Sequence, residues 1–152
     1  MKWLLRLVVA AVVAFVLWEA WQRFFVTDET RIRRQITLMT RDVEKGNVLE
    51  LSDALAADYS DDRGMDKSTL LGAVHSFREQ YDLLSVHLSD LAVTVDPDHQ
   101  KGQAAFTAKV IARLKGSPTD KQVVTNHFDL YFRKADNGWK LTRVESPELK
   151  LE

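Results

Sequence analysis

Hydrophobic positions recur along this 152-residue chain with two different periods. From residue 28 to residue 84 apolar residues fall three or four positions apart, which is the helical period, and from residue 85 they alternate, which is the strand period. Thr27 and Asp28 offer an N-cap for a first helix, and Gly46 offers its end. The apolar stripe between these two signals is formed by Ile32, Ile36, Met39 and Val43.

Two further helices are predicted before the change of period. A short one carries Val48, Leu51 and Leu55, and the polar stretch DYSDDRGMD at 58–66 then predicts a loop. Asp66 or Ser68 caps the next helix. Its apolar stripe is formed by Leu70, Leu71, Val74, Phe77 and Tyr81.

Four strands are predicted after the helices, at 85–96, 102–116, 122–134 and 139–144. The first has a bulge near Ser89 and Asp90, and Asp136-Asn137-Gly138 supplies the last hairpin turn. One face of the second strand is apolar: Ala104, Phe106, Ala108, Val110, Ala112 and Leu114. On the third strand Val124, Asn126, Phe128, Leu130 and Phe132 share a face opposite Thr125, His127, Asp129, Tyr131 and Arg133.

This order of elements predicts an α+β domain over residues 27–152. Three N-terminal helices would pack on the apolar face of a curved antiparallel sheet, because that face has to be covered.

Residues 1–26 have a different character and predict a membrane anchor. Residues 7–18 are uncharged, and the apolar and aromatic residues within 3–25 extend the segment to the length of a single transmembrane helix. Trp3 at one end and Trp18 and Trp21 at the other suit the two membrane interfaces. A cleaved signal peptide is disfavoured because Trp18-Glu19-Ala20 lacks a small residue at its first position, and an in-plane helix because residues 7–18 are apolar all round.

The orientation of the anchor depends on two opposing signals. Arg31, Arg33 and Arg34 follow it and favour a cytoplasmic domain, whereas the minimal basic tail before it is typical of an exported signal-anchor. We expect a single-pass protein of the bacterial inner membrane with its domain on the periplasmic or extracytoplasmic side.

Composition excludes several classes of function. The net charge is −1 with interspersed acids and bases, so no basic field points to nucleic acid, and the absence of cysteine removes thiolate chemistry. His75, His87, His99 and His127 have no metal-ligand spacing, and no phosphate-binding or nucleophile motif is present. We predict no cofactor, no metal and no catalytic residue.

Three features of the chain are distinctive together: the stretch EKGNVLELSDALAADYSDD, the helix before the sheet, and the closing FRKADNGWKLTRVE. They resemble the nuclear-transport-factor-2-like (NTF2-like) superfamily, which has a cone-shaped α+β fold. The resemblance covers roughly residues 28–146. It implies a pocket between the third domain helix and the concave sheet face. Some members of the superfamily are enzymes that use this pocket, and others bind ligands or partners.

The candidate pocket residues are Tyr59, His75, Phe106, Asn126, Phe128 and Arg143. Arg143, in line with Trp139 and Leu141, could clamp an anion, or it could reach the rim of the sheet and pair with an acid such as Glu145 of a neighbour. His75, with Tyr59 or Asp62 as partner, could be a pocket acid or base, or a histidine hydrogen-bonded at the edge of the core.

The polar strand face of His127, Asp129 and Tyr131 is interpreted as a solvated or dimer-forming surface rather than a catalytic cluster. The leading hypothesis is therefore a membrane-tethered, non-enzymatic binding or assembly module, either homodimeric or bound to a membrane-protein partner. Its layout is analogous to the periplasmic scaffold subunit of type IV secretion systems. The alternative is an enzyme of the isomerase or dehydratase type, or a carrier, that takes an apolar small molecule into the cone. The alternative requires Tyr59, His75, Asn126 or Arg143 to reach into an open cavity. It fails if those side chains face outward, or if Phe106, Phe128 and Phe132 fill the space.

Overall fold

The computed structural model describes residues 2–117, 119 and 121–147, with only the backbone described at 2, 4, 5, 22–25, 83 and 84. The ends of the predicted domains at Met1 and Glu152 lie outside this part. The helices are α1 (Lys2–Phe25), α2 (Asp28–Lys45), α3 (Val48–Ala54) and α4 (Lys67–Gln80), and the strands are β1 (Leu55–Asp61), β2 (Tyr81–Val95), β3 (Lys101–Leu114), β4 (Lys121–Ala135) and β5 (Gly138–Glu145).

The strands form one sheet in the order β1-β5-β4-β3-β2. The predicted sheet was antiparallel, but the observed one is mixed, because β1 pairs with β5 in parallel. The other pairings are antiparallel, and they place Phe106 opposite Phe128 and Ala108 opposite Asn126. The long strands β2, β3 and β4 thus bring their alternating apolar residues onto one face.

Strand β1 was missed by the sequence analysis. Residues 58–66 were predicted as a loop and Leu55 as helical, yet the strand begins at Leu55 and ends at Asp61. The segment has many polar side chains and no alternating apolar pattern, so the sequence does not indicate a strand. The strand forms because its backbone pairs with β5.

Three predicted helix ends in the domain are confirmed, whereas Tyr81, predicted as part of the third domain helix, begins β2 instead. Thr27 caps α2 by accepting a hydrogen bond from the Thr30 backbone N–H, and Gly46 ends the helix in the left-handed conformation at φ 71°. Asp66 caps α4 through the Thr69 N–H at 2.8 Å. The bulge predicted near Ser89 and Asp90 is present as a register shift, with Asp90 at φ 56°.

The core lies between α2 and the concave face of the sheet. Ile32 and Ile36 are fully buried against it, together with Phe132. Gly102 permits this approach, since a Cβ placed there would lie 2.5 Å from Cδ1 of Ile32.

Asp28 fastens the start of α2 to the sheet. Its carboxylate contacts Nδ1 of His99 at 3.0 Å and Nζ of Lys134 at 3.4 Å. Burial raises the pKa of Asp28, but the hydrogen bonds to His99 and Lys134 outweigh it and hold the pKa below its ordinary value. These contacts hold the start of α2 against the β2–β3 turn and β4.

Helix α1 precedes the domain helices, so the chain has four helices in its described part. Its large apolar side chains are exposed, among them Trp3, Leu7, Val8, Val9, Val12, Val13, Phe15, Val16, Leu17, Trp18 and Trp21. In the part of the chain that the structure describes, no helix is both long enough and apolar enough to cross a membrane. The predicted transmembrane helix is therefore not supported.

Candidate functional site

A cavity of about 450 Å³ lies between the helices and the concave sheet face. The helices contribute apolar side chains to its wall, including Met39, Leu51, Leu70, Val74 and Phe77. The strands contribute Val86, Leu88, Phe106, Val110, Phe128 and Leu130. The space is thus enclosed largely by hydrocarbon, as ligand pockets usually are.

The alternation of β3 and β4 keeps this space open. Phe106 and Phe128 lie opposite each other with their ring centroids 5.9 Å apart, and both belong to the wall. The next pair on the same face of the sheet is Ala108 opposite Asn126, where the small alanine leaves room. Phe132 is packed in the core at 2 % exposure and does not line the cavity in the described structure. The three phenylalanines therefore do not fill the cone.

Polar groups gather at one end of the wall, where β1 ends and β5 leaves the sheet. The backbone N–H of Ser146 donates to Oδ2 of Asp62 at 3.0 Å, and the amide of Asn126 donates to Oγ of Ser146. Oδ1 of Asp61 accepts from the backbone N–H groups of Arg63 and Met65 at 2.9 and 2.7 Å. The turn after β1 is thereby held against the wall with its side chains at the cavity.

Tyr59 lies beside this polar end and is 3 % exposed. Its hydroxyl has no hydrogen-bond partner among the residues that the structure describes. Burial raises the pKa of Tyr59 to about 12, with the charges of Asp61 and Asp62 adding to the effect. At neutral pH the side chain is therefore an uncharged phenol that can donate a hydrogen bond into the cavity.

Four of the six predicted pocket residues line the cavity: Tyr59, Phe106, Asn126 and Phe128. His75 does not, since it lies on the exposed side of α4 with Nε2 3.5 Å from Oε1 of Glu79. Neighbouring helix positions are about 100° apart, so the inward direction of Val74 takes His75 away from the wall.

Arg143 also lies outside the cavity, because β5 changes face before it. Leu141 pairs with Phe132, whereas Arg143 pairs with Tyr131, and the intervening Thr142 forms a bulge. The bulge moves Arg143 to the outer face, where its Nε lies 2.8 Å from Oε1 of Glu145 in the same chain. Arg143 therefore pairs with Glu145, as the second interpretation expected, but the glutamate belongs to the same chain and not to a neighbouring molecule.

Sequence reasoning missed Asp61, Arg63 and Ser146 as cavity residues. The first two were assigned to a loop, and Ser146 reaches the wall only because of the bulge at Thr142. A signal for Asp61 was available, because Tyr59 and Asp62 were already candidate pocket residues. If the segment around them is extended, Tyr59 and Asp61 lie on the same face of the strand.

The predicted dimer surface lies on the face of β4 turned away from the cavity. Nε2 of His127 lies 3.9 Å from Oδ1 of Asp129, and the hydroxyl of Tyr131 donates to Oε2 of Glu145 at 3.2 Å. Burial and the charge of Glu145 raise the pKa of Tyr131. These contacts within one chain do not test the dimer prediction.

The cavity has the groups for holding an organic molecule. Among the described residues no three histidine or acidic side chains come together in a way that could hold a metal. The cavity instead combines an apolar wall with a phenol donor and carboxylate acceptors, which can orient a small molecule by its polar group.

Comparisons with known proteins identify the fold. A proposed scytalone dehydratase from Novosphingobium aromaticivorans superposes with a TM-score of 0.69 at 14 % identity over 78 % of this chain and 83 % of that one. An NTF2-like protein with a cystatin-like fold from the same species gives 0.66 at 17 %, covering 88 % and 89 %. An NTF2-like protein of unknown function in nutrient uptake from Rhodospirillum rubrum gives 0.65 at 20 %, covering 78 % and 98 %.

The fold is therefore that of NTF2-like proteins, as the sequence resemblance implied. No family model matches the chain. A search of curated proteins likewise finds no match.

Proposed function

We propose that this protein binds a small, largely apolar organic molecule in the cavity of its cone. The observation that carries the proposal is the open space of about 450 Å³ with apolar walls and one polar end. Binding sites for small molecules fall in the range of about 300 to 1,000 Å³ and have this distribution of polarity. The proposed scytalone dehydratase among the structural neighbours supports use of the fold for a small molecule.

The driving force is the removal of apolar surface from water. Each Å² of apolar surface that the ligand and the wall bury together contributes about 25 cal/mol. The phenol of Tyr59 and the carboxylates of Asp61 and Asp62 orient the bound molecule. A ligand that displaces water from these groups has to replace the hydrogen bonds that the water made.

Filling the cavity tests the proposal. Ala108→Leu places a larger side chain in the wall, whereas Ala105→Leu makes the same change on the same strand at a half-buried position that does not line the cavity. We expect Ala108→Leu to weaken binding of the neutral probe 1-naphthalenemethanol about tenfold or more, since about 1.4 kcal/mol is tenfold in affinity. The control should bind like the original protein in isothermal titration calorimetry.

Circular dichroism establishes that both variants are folded. Equal binding by the two variants, or the absence of binding by the unaltered protein, would contradict the proposal.

We also propose, as a second function, that α1 attaches the protein to a membrane. Apolar and aromatic side chains are exposed all along this helix, so contact with lipid would remove a large apolar surface from water. The bacterial cytoplasmic membrane, with the cone on its extracytoplasmic side, is the location that we propose. Attachment would concentrate the binding domain near membrane partners.

Flotation with vesicles of phosphatidylglycerol and phosphatidylethanolamine tests this attachment. We expect the full chain to float and a Val12→Asp, Val16→Asp variant to stay in the dense fraction, because charges at these positions oppose lipid contact. Leu49→Asp changes an exposed leucine of α3 and is the matched control. Flotation of all three proteins alike would exclude α1 as the attachment.

A further inference from the structure

We propose that the cavity selects molecules that carry a protonated amine on an apolar body. This inference rests on the proposed function and specifies the polar group of the ligand. Its basis is the arrangement of Tyr59, Asp61 and Asp62 at the polar end of the wall.

The hydroxyl of Tyr59 is the first observation. The side chain is only 3 % exposed, lines the cavity, and has no hydrogen-bond partner in the described part of the chain. The hydroxyl opens on the cavity, so a ligand or water held there can complete its hydrogen bonding. A phenol oxygen accepts a hydrogen bond from an ammonium group as readily as it donates one.

The two carboxylates are the second observation. Asp61 follows Tyr59 by two positions on β1, so both side chains leave the strand on the same face, and Asp62 is the next residue. Each acid uses one oxygen for backbone N–H groups, Oδ1 in Asp61 and Oδ2 in Asp62. Among the described residues the other oxygen of each has no hydrogen-bond partner, so it is available to a ligand's donors.

The balance of charge favours a cation. Among the described residues of the wall the charged ones are Asp61, Asp62 and Arg63, two acids against one base. Both acids act on the Tyr59 hydroxyl by raising its pKa, and Arg63 is not among the groups that shift it. The two acids thus make the potential at the phenol negative, which attracts an ammonium and repels a carboxylate, and because Asp62 and Arg63 are exposed, solvent weakens this preference without reversing it.

Three probes with one apolar body test the inference at pH 7. They are 1-naphthylmethylamine, which is protonated, 1-naphthalenemethanol, which is neutral, and 1-naphthoate, which is anionic. We expect calorimetry to show the amine binding about tenfold more tightly than the alcohol, with the carboxylate weakest. An amine that binds no more tightly than the alcohol would overturn the inference while leaving the proposed function intact. Failure of all three to bind would overturn both.

Charge variants separate electrostatics from structural damage. Asp61→Asn and Asp62→Asn keep an oxygen for the backbone N–H groups, and each should weaken amine binding about five- to tenfold with little change for the alcohol. Arg63→Gln should strengthen amine binding, an effect that a disturbed fold would not produce. Equal losses for amine and alcohol in the aspartate variants, or weaker amine binding in Arg63→Gln, would refute selection by charge.

Discussion

Tyr59 is one of the most deeply buried polar side chains of the described chain, and its position depends on a strand with few sequence signals. β1 holds it at the cavity, and burial, together with the charges of Asp61 and Asp62, raises the pKa of its phenol. Arg143 shows the opposite case, since a single bulged residue removes it from the site. The register of the paired strands therefore decides which side chains line the cavity.

Tyr59→Phe should reveal the raised pKa as a difference in stability at high pH. The unfolded phenol ionises near pH 10 and the folded one near 12, so above pH 10 the unfolded state binds fewer protons and stability falls as the pH rises to 12. We expect the original protein to lose roughly 1 to 2 kcal/mol across this window relative to the variant. Converting the whole pKa shift into free energy would give a larger loss, but the cavity is open to solvent, which reduces the effect.

Urea unfolding at pH 8, 10, 11 and 12 measures this difference. At pH 8 the two proteins should be about equally stable, because the hydroxyl has no partner in the described chain to lose. Stability curves that stay parallel up to pH 12 would show that the phenol is not shifted.

Caps and strand alternation explain most of the elements in the domain. Thr27, Gly46 and Asp66 mark helix ends locally, and the long strands β3 and β4 follow their alternating pattern. β1 and the bulge at Thr142 lack such signals, because both arise when β5 pairs with two neighbours at once. Interactions between distant segments therefore override local preference at these two places.

The contact between α2 and β3 makes a prediction at the element scale. Gly102→Ala brings a methyl group against buried Ile32, and we expect it to destabilise the protein by about 1–3 kcal/mol. Gly72→Ala is the matched control on α4, where a Cβ meets no atom within 4 Å. The control should raise stability by about 0.5–1 kcal/mol through helix propensity.

Urea unfolding of the two variants and of Gly102→Ala with Ile32→Val measures the effect. The valine removes the methyl group that collides and should restore part of the loss. Equal stabilities of the Gly102 and Gly72 variants would show that α2 does not approach β3 this closely.

At the scale of the whole molecule the sheet separates two surfaces with different chemistry. Its concave face surrounds the cavity, while its outer face carries His127, Asp129 and Tyr131 in a row of polar contacts. We propose that two copies associate through this outer face, which leaves both cavities accessible.

Tyr131→Lys tests the association by adding a positive charge to this face, where Glu145 can still pair with the new side chain within its own chain. Like charges brought together across a twofold interface should yield monomers in sedimentation velocity. Glu50→Gln adds the same unit of charge on exposed α3 and should leave the association unchanged. Monomers of the unaltered protein, or dimers of the Tyr131 variant, would remove this surface as the interface.

The sequence by itself determined the helical half, the three long antiparallel strands, the last hairpin and the resemblance to an NTF2-like cone. Those features depend on caps, turns and hydrophobic periods, which act between residues close along the chain. The polar end of the cavity was decided by tertiary structure. Asp61, Arg63 and Ser146 come together because β1 pairs with β5, a contact between residues some 80 positions apart. Arg143 turns away because Thr142 forms a bulge where β5 pairs with β4, which no turn or period in the sequence marks.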